Sequence, residues 1–450
     1  MPKILLFGAG LVAAPCVEYC LRRKENTMVI ATRTIAKGES LAKEYGDRVS
    51  CATVDVESDE SIDNLMKDCD IAISLVPYIH HANIIKSAVK FKKNFVSTSY
   101  VSPAMEAFHD AAVEAGVTVM NEIGVDPGVD HLYAMKVIDE VHAKGGKVKS
   151  FISYCGGLPA PENSDNPLGY KFSWSPRGVL LAVRNAARFK QDGKIVDIAG
   201  PDLLRLGAKR IYTNPGYATY GYPNRDSSFY DTRYGMPECD TCLRGSLRFE
   251  GNVEIVQAFA DCGLLSLDEV DFLASSAPAV SCAEAMAKLL NCADAEEDTL
   301  KAAVAAKANL PKDLQRRVLN GFKWFGLFSK TEMADRKGTY LDMLCGTMEE
   351  KLQLKDDERD MIFLQHEFGI EWADGKKEER TSTLIEYGTP GGFTAMARLV
   401  GMPCGVAVQM ILDGKITKKG VFAPLTKDIY GPLIEVLEKE EGVVVKDTIL

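Results

Sequence analysis

Positive charge is in short supply: 53 Lys and Arg stand against 63 Asp and Glu in 450 residues, leaving a formal net charge of −10 and a pI near 5.3. A protein that follows a phosphate backbone needs the opposite sign, so no nucleic-acid partner is expected. Long apolar runs are missing too. The longest nearly apolar stretch, residues 399–412, is 14 residues and contains Gln409. A bilayer-crossing helix needs ~20, so no membrane role is expected. There is no Asn-x-Ser/Thr acceptor, and the 12 cysteines follow no regular spacing. Both absences suit a reducing cytosol rather than a disulfide-stapled secreted domain. Glycines interrupt the N-terminal run MPKILLFGAGLVAAPC, where a cleaved leader keeps a continuous apolar helix. Repeats, low-complexity tracts and long blocks of like charge are also lacking, which excludes extensive disorder.

What is present is ordinary globular composition, 46% apolar and 26% charged, in a chain long enough for two or three domains at ~150 residues each. Through residues 3–124, short apolar strands (4–7, 28–32, 50–54, 71–76, 95–98 and 118–120) alternate with helical patterns at a repeat of about 22 to 25 residues. This alternation predicts an α/β fold: a Rossmann-type, doubly wound parallel sheet covered by helices on both faces. After Pro127 and Gly128 the texture changes. Residues 147–155 read as a longer strand, 241–249 as an antiparallel strand and 379–387 as another, which together predict a second, α+β domain. Residues 266–372 carry helical periodicity and are expected to form a mainly helical insertion. An Ala/Met-rich helix over 393–412 either returns to the first domain or offers a dimer surface. The expected organisation is residues 1–130 with 390–450, residues 131–265 with 373–389, and the insertion 266–372.

The first turn, Gly8-Ala9-Gly10-Leu11-Val12-Ala13, is a GxGxxA form of the dinucleotide fingerprint, with a strand before it and a helix after it. Gly8 suits the tight turn, Gly10 the approach of a pyrophosphate to backbone N–H groups, and Ala13 close helix packing. An NAD site usually places Asp or Glu at the end of the second strand. Here that end reads Thr32-Arg33-Thr34, with no carboxylate. Arg33 can pair with a 2′-phosphate, and Thr32 and Thr34 can donate to its oxygens, so the cofactor is predicted to be NADP(H). Further strand ends are expected to complete the pocket: Asp55 and Val56 beside the adenine, and Leu75, Val76 and Pro77 beside the nicotinamide ribose, with His80 behind. No metal is expected. Cys239 and Cys242 have the spacing of half a zinc site but no second pair. Cys16 and Cys20 read as core, and Glu438 to Glu441 as a solvated helix face.

The strings GAGLVAAP, ISLVPY, STSYVSPAM, NEIGVDPGVDHLYA, SYCGGLPAPENSDNPLGYKFSWSPRGVL and GYPNRDS together closely resemble the saccharopine reductases, the NADP-dependent, glutamate-forming saccharopine dehydrogenases of the fungal aminoadipate route to lysine. The likeness covers nearly the whole chain. It implies an enzyme that condenses L-glutamate with 2-aminoadipate 6-semialdehyde and reduces the imine with NADPH to L-saccharopine. It also implies a substrate-binding and dimerisation role for the second domain, and a homodimer. By this similarity Ser99, Tyr100, Asp126 and Arg225 contact saccharopine, and Arg244, Gly245, Ser246 and Leu247 hold a carboxylate through side-chain and backbone donors. Val125, Asp126 and Pro127 join the cofactor set, and Trp174 and Ser175 approach its nicotinamide end.

Imine formation requires a neutral amine and a proton donor for the departing hydroxyl. Asp126, Tyr100 and Cys155 are the expected catalytic groups; His131, near a helix start, reads as structural. Two other readings compete: an NADP-occupied regulator without turnover, and a reductase acting on another amino-acid imine.

Overall fold

The protein is described by a computed structural model over residues 1–172, 176–213, 216–333 and 336–450. It divides into two compact units: Met1–Gly146 with Gly388–Asp447, and Lys147–Tyr387 with Thr448–Leu450.

The first unit is built on β1 (Lys3–Phe7), β2 (Thr27–Thr32), β3 (Val49–Thr53), β4 (Ile71–Ser74), β5 (Asn94–Ser97) and β6 (Thr118–Met120). With the edge strand Gly420–Phe422 they form a seven-stranded sheet in the order Gly420–Phe422, β6, β5, β4, β1, β2, β3. Every pairing is parallel. Such a sheet is apolar on both faces because helices cover both, and Ile4, Leu6, Phe7, Ile71, Ile73 and Phe95 are fully buried. β1 lies between β2 and β4, so the chain winds outward in both directions from the C-terminal end of β1. That switch point is where such folds bind ligands.

A domain boundary drawn at residue 130 falls inside the helix Val129–Ala143, all of which belongs to this unit. The edge strand Gly420–Phe422 is not anticipated from periodicity, because three residues cannot display a period. The apolar helix Ala395–Leu412 is 78% buried inside the protein, so it is a core helix rather than a dimer surface. It packs on the first helix, Ala13–Leu21, through Gly401 and Gly405. The acidic cluster near the C-terminus is less solvated than expected: Lys136 pairs with Glu438 at 3.0 Å, and Glu441, only 7% exposed, pairs with Arg22.

The second unit holds a mixed sheet. Its strands are β7 (Lys147–Pro159), β8 (Ala187–Gln191), β9 (Lys194–Ile198), β10 (Lys209–Ile211), β11 (Thr219–Pro223), β12 (Thr241–Phe249), β13 (Asp360–Glu371) and β14 (Lys377–Tyr387). The order β10, β11, β12, β7, β13, β14 places β7 and β13 centrally, and the β8–β9 hairpin joins at β12. β12 is antiparallel to β11 but parallel to β7, which corrects the simple antiparallel expectation.

β13 also departs from the expectation of helix up to residue 372. Its first seven residues are all buried, so the alternation that marks a half-exposed strand is absent and an apolar run reads equally as helix. The helices Asn252–Cys262, Cys282–Leu290, Lys312–Trp324 and Tyr340–Lys351 share one core around Phe259, Phe322, Phe325 and Leu344. Burying each such side chain contributes about 1.5–3 kcal/mol.

Candidate active site

The glycine turn follows β1. Gly8 has φ of +106°, and a Cβ there would lie 3.2 Å from the Leu75 carbonyl; its N–H donates to the Ala31 carbonyl at 2.8 Å, and the Leu75 N–H to Phe7 at 2.9 Å. The ends of β1, β2 and β4 are therefore drawn together at a residue that must be glycine. Around Gly10 nothing lies within 4 Å of where a Cβ would stand, leaving open space against its backbone. Ala9 and Val12 are half-buried and Leu11 exposed. The helix Ala13–Leu21 has no side-chain cap and no acidic residue in its first turn, so its N–H groups and dipole are left to an anion.

At the end of β2, Arg33 and Thr34 are exposed, while Thr32 is nearly buried and accepts from the Thr34 N–H at 3.4 Å. Asp55 is exposed and accepts from Glu57 N–H at 3.0 Å, and Val56 packs inward. Leu75, Val76 and His80 are half-buried and Pro77 exposed. These donors, with no carboxylate among them at the β2 end, fit a dinucleotide carrying a 2′-phosphate.

Two loops carry the groups of this unit expected to handle protons. Beyond β5, Ser99 and Tyr100 are half-buried, and the Tyr100 hydroxyl donates to Asp126 Oδ1 at 2.6 Å. Asp126 follows buried Val125 and precedes Pro127 through a cis peptide bond. The turn closes at Gly128, where φ is +150° and a Cβ would fall 2.0 Å from the Gly124 carbonyl oxygen; no other residue fits there.

In the second unit, Cys155 on β7 sits beside Ser246 on β12, and Ser153 beside Arg244. Alternation puts these four side chains on one face of the sheet. Arg244 is buried, with its guanidinium 4.4 Å from the Tyr230 ring centroid and its N–H donating to Ser227 Oγ at 3.3 Å. Arg225 is exposed, with φ of +55°.

Family models match almost the entire chain: the saccharopine dehydrogenase NADP binding domain over residues 4–120 and the saccharopine dehydrogenase C-terminal domain over 124–443. The chain belongs to the saccharopine dehydrogenase family. It is similar to the saccharopine dehydrogenase [NADP(+), L-glutamate-forming] of Schizosaccharomyces pombe, with 48% identity over 98% of this chain and 97% of that one. The Pyricularia oryzae protein of the same name is 47% identical over 100% and 99%. Among solved structures, apo saccharopine dehydrogenase (L-Glu forming) from Saccharomyces cerevisiae superposes with a TM-score of 0.92 at 45% identity, covering 100% of both chains.

In this member of the family the expected residues separate by surroundings. Gly8 to Val12, Thr32 to Thr34, Asp55, Val56, Leu75 to Pro77 and His80 stand on strand ends of the first unit, and Ser99, Tyr100 and Val125 to Pro127 lie on the loops after β5 and β6 of that unit. Gly245 and Leu247, in contrast, face away from Arg244 and Ser246. Leu247 is fully buried among Tyr154, Leu158 and Phe363, and a Cβ on Gly245 would meet the Tyr222 carbonyl at 2.5 Å and the Tyr154 ring at 2.6 Å. β12 is paired along both edges, by β11 from Gly245 onward and by β7 from Thr241 to Ser246, and beyond the end of β11 the Arg244 backbone N–H is taken by Ser227 Oγ. Of the four residues expected to meet a carboxylate, Arg244 and Ser246 thus share one face of β12, and Gly245 and Leu247 stand on the other. Trp174 and Ser175 lie outside the described residues. Among the described residues no His, Cys, Asp or Glu cluster suits a metal.

Sequence reasoning missed two groups. His81, fully buried, holds the Val76 carbonyl through Nε2 at 2.9 Å, and burial pushes its pKa down to about 4. Glu122, also fully buried, contacts His131 Nε2 at 2.7 Å. Neither announces itself in sequence, since each partner is revealed only by folding.

Proposed function

We propose that the protein catalyses the reversible formation of L-saccharopine from L-glutamate and L-2-aminoadipate 6-semialdehyde with NADPH, as a step of lysine biosynthesis. The observation that carries this reading is full-length identity of 48% to an NADP-dependent, L-glutamate-forming relative, joined to a β2 end that offers Thr32, Arg33 and Thr34 to a 2′-phosphate. The Gly8–Gly10 turn and the N-terminus of the helix Ala13–Leu21 would hold NADPH, whose chemistry would be to supply a hydride to the imine carbon.

The remaining chemistry belongs to side chains. The glutamate ammonium loses a proton to Asp126, and the neutral amine adds to the aldehyde carbon to give a carbinolamine. Its hydroxyl leaves as water on receiving a proton from the Tyr100–Asp126 pair, where the phenol donates to the carboxylate at 2.6 Å. A hydroxyl hydrogen-bonded to a carboxylate can pass protons in either direction, as a reversible condensation requires. Arg244 and Arg225 are assigned to substrate carboxylates, and Cys155, half-buried on the same sheet face as Arg244, to a secondary proton-handling role.

Location and assembly are part of the same proposal. The twelve cysteines, all among the described residues, form no disulfide, which supports a reducing cytosol. The homodimer is taken from the resemblance to the saccharopine reductases.

The test is turnover. Purified protein given L-glutamate, the semialdehyde and NADPH is expected to consume the reduced cofactor and yield saccharopine, and to run backwards on saccharopine with NADP+. No consumption with either substrate set removes the reading. Light scattering that gives the mass of a monomer at micromolar concentration removes the dimer.

A further inference from the structure

Tyr100 and Asp126 lie on different loops, 26 residues apart, yet meet at 2.6 Å. What aligns them is a buried cluster behind them. Glu122 grips the backbone on both sides of Tyr100: its N–H donates to the Ser99 carbonyl at 3.1 Å, and its Oε1 accepts from the Val101 N–H at 2.8 Å. To reach both, Glu122 adopts φ of +60°, a conformation few residues other than glycine take up.

Asp130 grips the segment around Asp126 in the same manner. Its N–H donates to the Val125 carbonyl at 3.0 Å, and its Oδ1 accepts from the Gly128 N–H at 2.6 Å. Between the two carboxylates stands the His131 ring, with Nε2 2.7 Å from Glu122 Oε2 and Nδ1 3.7 Å from Asp130 Oδ2. Glu122 and His131 are fully shielded from solvent and Asp130 almost so.

We propose that Glu122 and His131 are positioning residues for the reaction: the Glu122 carboxylate clamps the Tyr100 loop, and the His131 ring locks that clamp to the Asp130 clamp on the Asp126 loop. A buried carboxylate is stable only when paired and hydrogen-bonded, so the Glu122–His131 contact holds Glu122 in its strained place. The Tyr100–Asp126 bond is thereby set before substrate arrives, which is the arrangement that preorganised catalysis requires. This inference rests on the activity proposed above. The contacts given above for the two residues lie on the loops after β5 and β6 and at the helix start that follows, apart from the glycine turn and the end of β2 to which the dinucleotide phosphates are assigned.

The test compares His131→Asn, which cannot reach Glu122, with His131→Gln, whose amide can. His131→Asn is expected to lower kcat for saccharopine oxidation ~10- to 100-fold, the range typical of residues that orient reactive groups, with the KM for NADP+ changed less than about twofold. His131→Gln is expected to recover a substantial part of the loss. Because the effect acts through Tyr100, adding His131→Asn to Tyr100→Phe is expected to cause little further loss. A full additional loss in the Tyr100→Phe background, equal kcat in wild type and His131→Asn, or a parallel weakening of NADP+ overturns the proposal. Glu122→Gln replaces His131→Asn if the latter does not accumulate, and failure of both to fold assigns the cluster to stability and rejects positioning.

A readout without turnover separates this inference from the activity on which it rests. The Tyr100 ring-carbon resonance, assigned by its disappearance in Tyr100→Phe, must move in His131→Asn. A wild type without turnover defeats the activity reading, whereas an unmoved resonance defeats the clamp.

Discussion

Arg33 is the residue proposed to set the choice of dinucleotide. It is exposed at the end of β2, where the chain presents hydroxyls and a guanidinium but no carboxylate. A charge-assisted contact to a phosphate contributes about 1.5–3 kcal/mol, which corresponds to roughly 10- to 100-fold in affinity. Arg33→Ala is therefore expected to raise the KM for NADPH by that factor while leaving the KM for NADH within about twofold. An unchanged NADPH-to-NADH preference in steady-state assays would show that the phosphate is held elsewhere. The place of this residue, exposed at the end of β2, was legible in the sequence because it is local: one strand end, three consecutive side chains and no need of a distant partner. Glu122 is the opposite case. Its partners Ser99, Val101 and His131 meet it only after β5, β6 and the following helix have folded, and its left-handed backbone contradicts what its residue type predicts.

At the scale of elements, legibility follows exposure pattern and length. The strands β1 to β6 were readable because each is a short apolar run set between amphipathic helices, and the observed ends differ from the expected ones by a residue or two. β13 was not, since burial on both faces erased its alternation, and Gly420–Phe422 was too short to carry a pattern. The helix Ala395–Leu412 was readable, but the reason for its glycines was not. A Cβ on Gly401 would lie 2.4 Å from the Val12 carbonyl and 2.9 Å from the Cys16 amide nitrogen, backbone atoms that cannot rotate away. Gly401→Ala must therefore push this helix off the first one. The expected cost is about 1–3 kcal/mol, in the range of overpacked cores, seen as a lower midpoint in urea. Because Val12 begins the helix that receives the pyrophosphate, NADPH affinity should fall with it. Gly431→Ala, in the helix Lys427–Lys439 with nothing within 4 Å, is the control: it should leave NADPH affinity unchanged and keep or slightly raise the urea midpoint, as alanine does for glycine inside a helix. Equal stability of Gly401→Ala and wild type would mean that the two helices tolerate separation.

At the scale of the whole molecule, the net charge of −10 masks the local cations proposed to meet phosphate and carboxylates, Arg33 in one unit and Arg225 and Arg244 in the other. The chain leaves the first unit after Gly146 and re-enters it at Gly388, so the dinucleotide fold is complete only when its C-terminal part has joined. The edge strand Gly420–Phe422 pairs with β6, and the helix Ala395–Leu412 packs on Ala13–Leu21. A ligand of that unit thus stabilises residues from both ends of the sequence at once. Binding to the folded state alone adds RT ln(1 + [L]/Kd), about 2.7 kcal/mol at a hundredfold excess over Kd. NADPH at that concentration is expected to raise the thermal midpoint by several degrees, and NADH at the same concentration by much less, because it lacks the phosphate that Arg33 reads. The same scan on Arg33→Ala should bring the two midpoints together. Equal shifts with both dinucleotides in the wild type would mean that the free energy of binding comes from the pyrophosphate at the Gly8–Gly10 turn, and that the β2 end contributes nothing to the stability of the assembled unit.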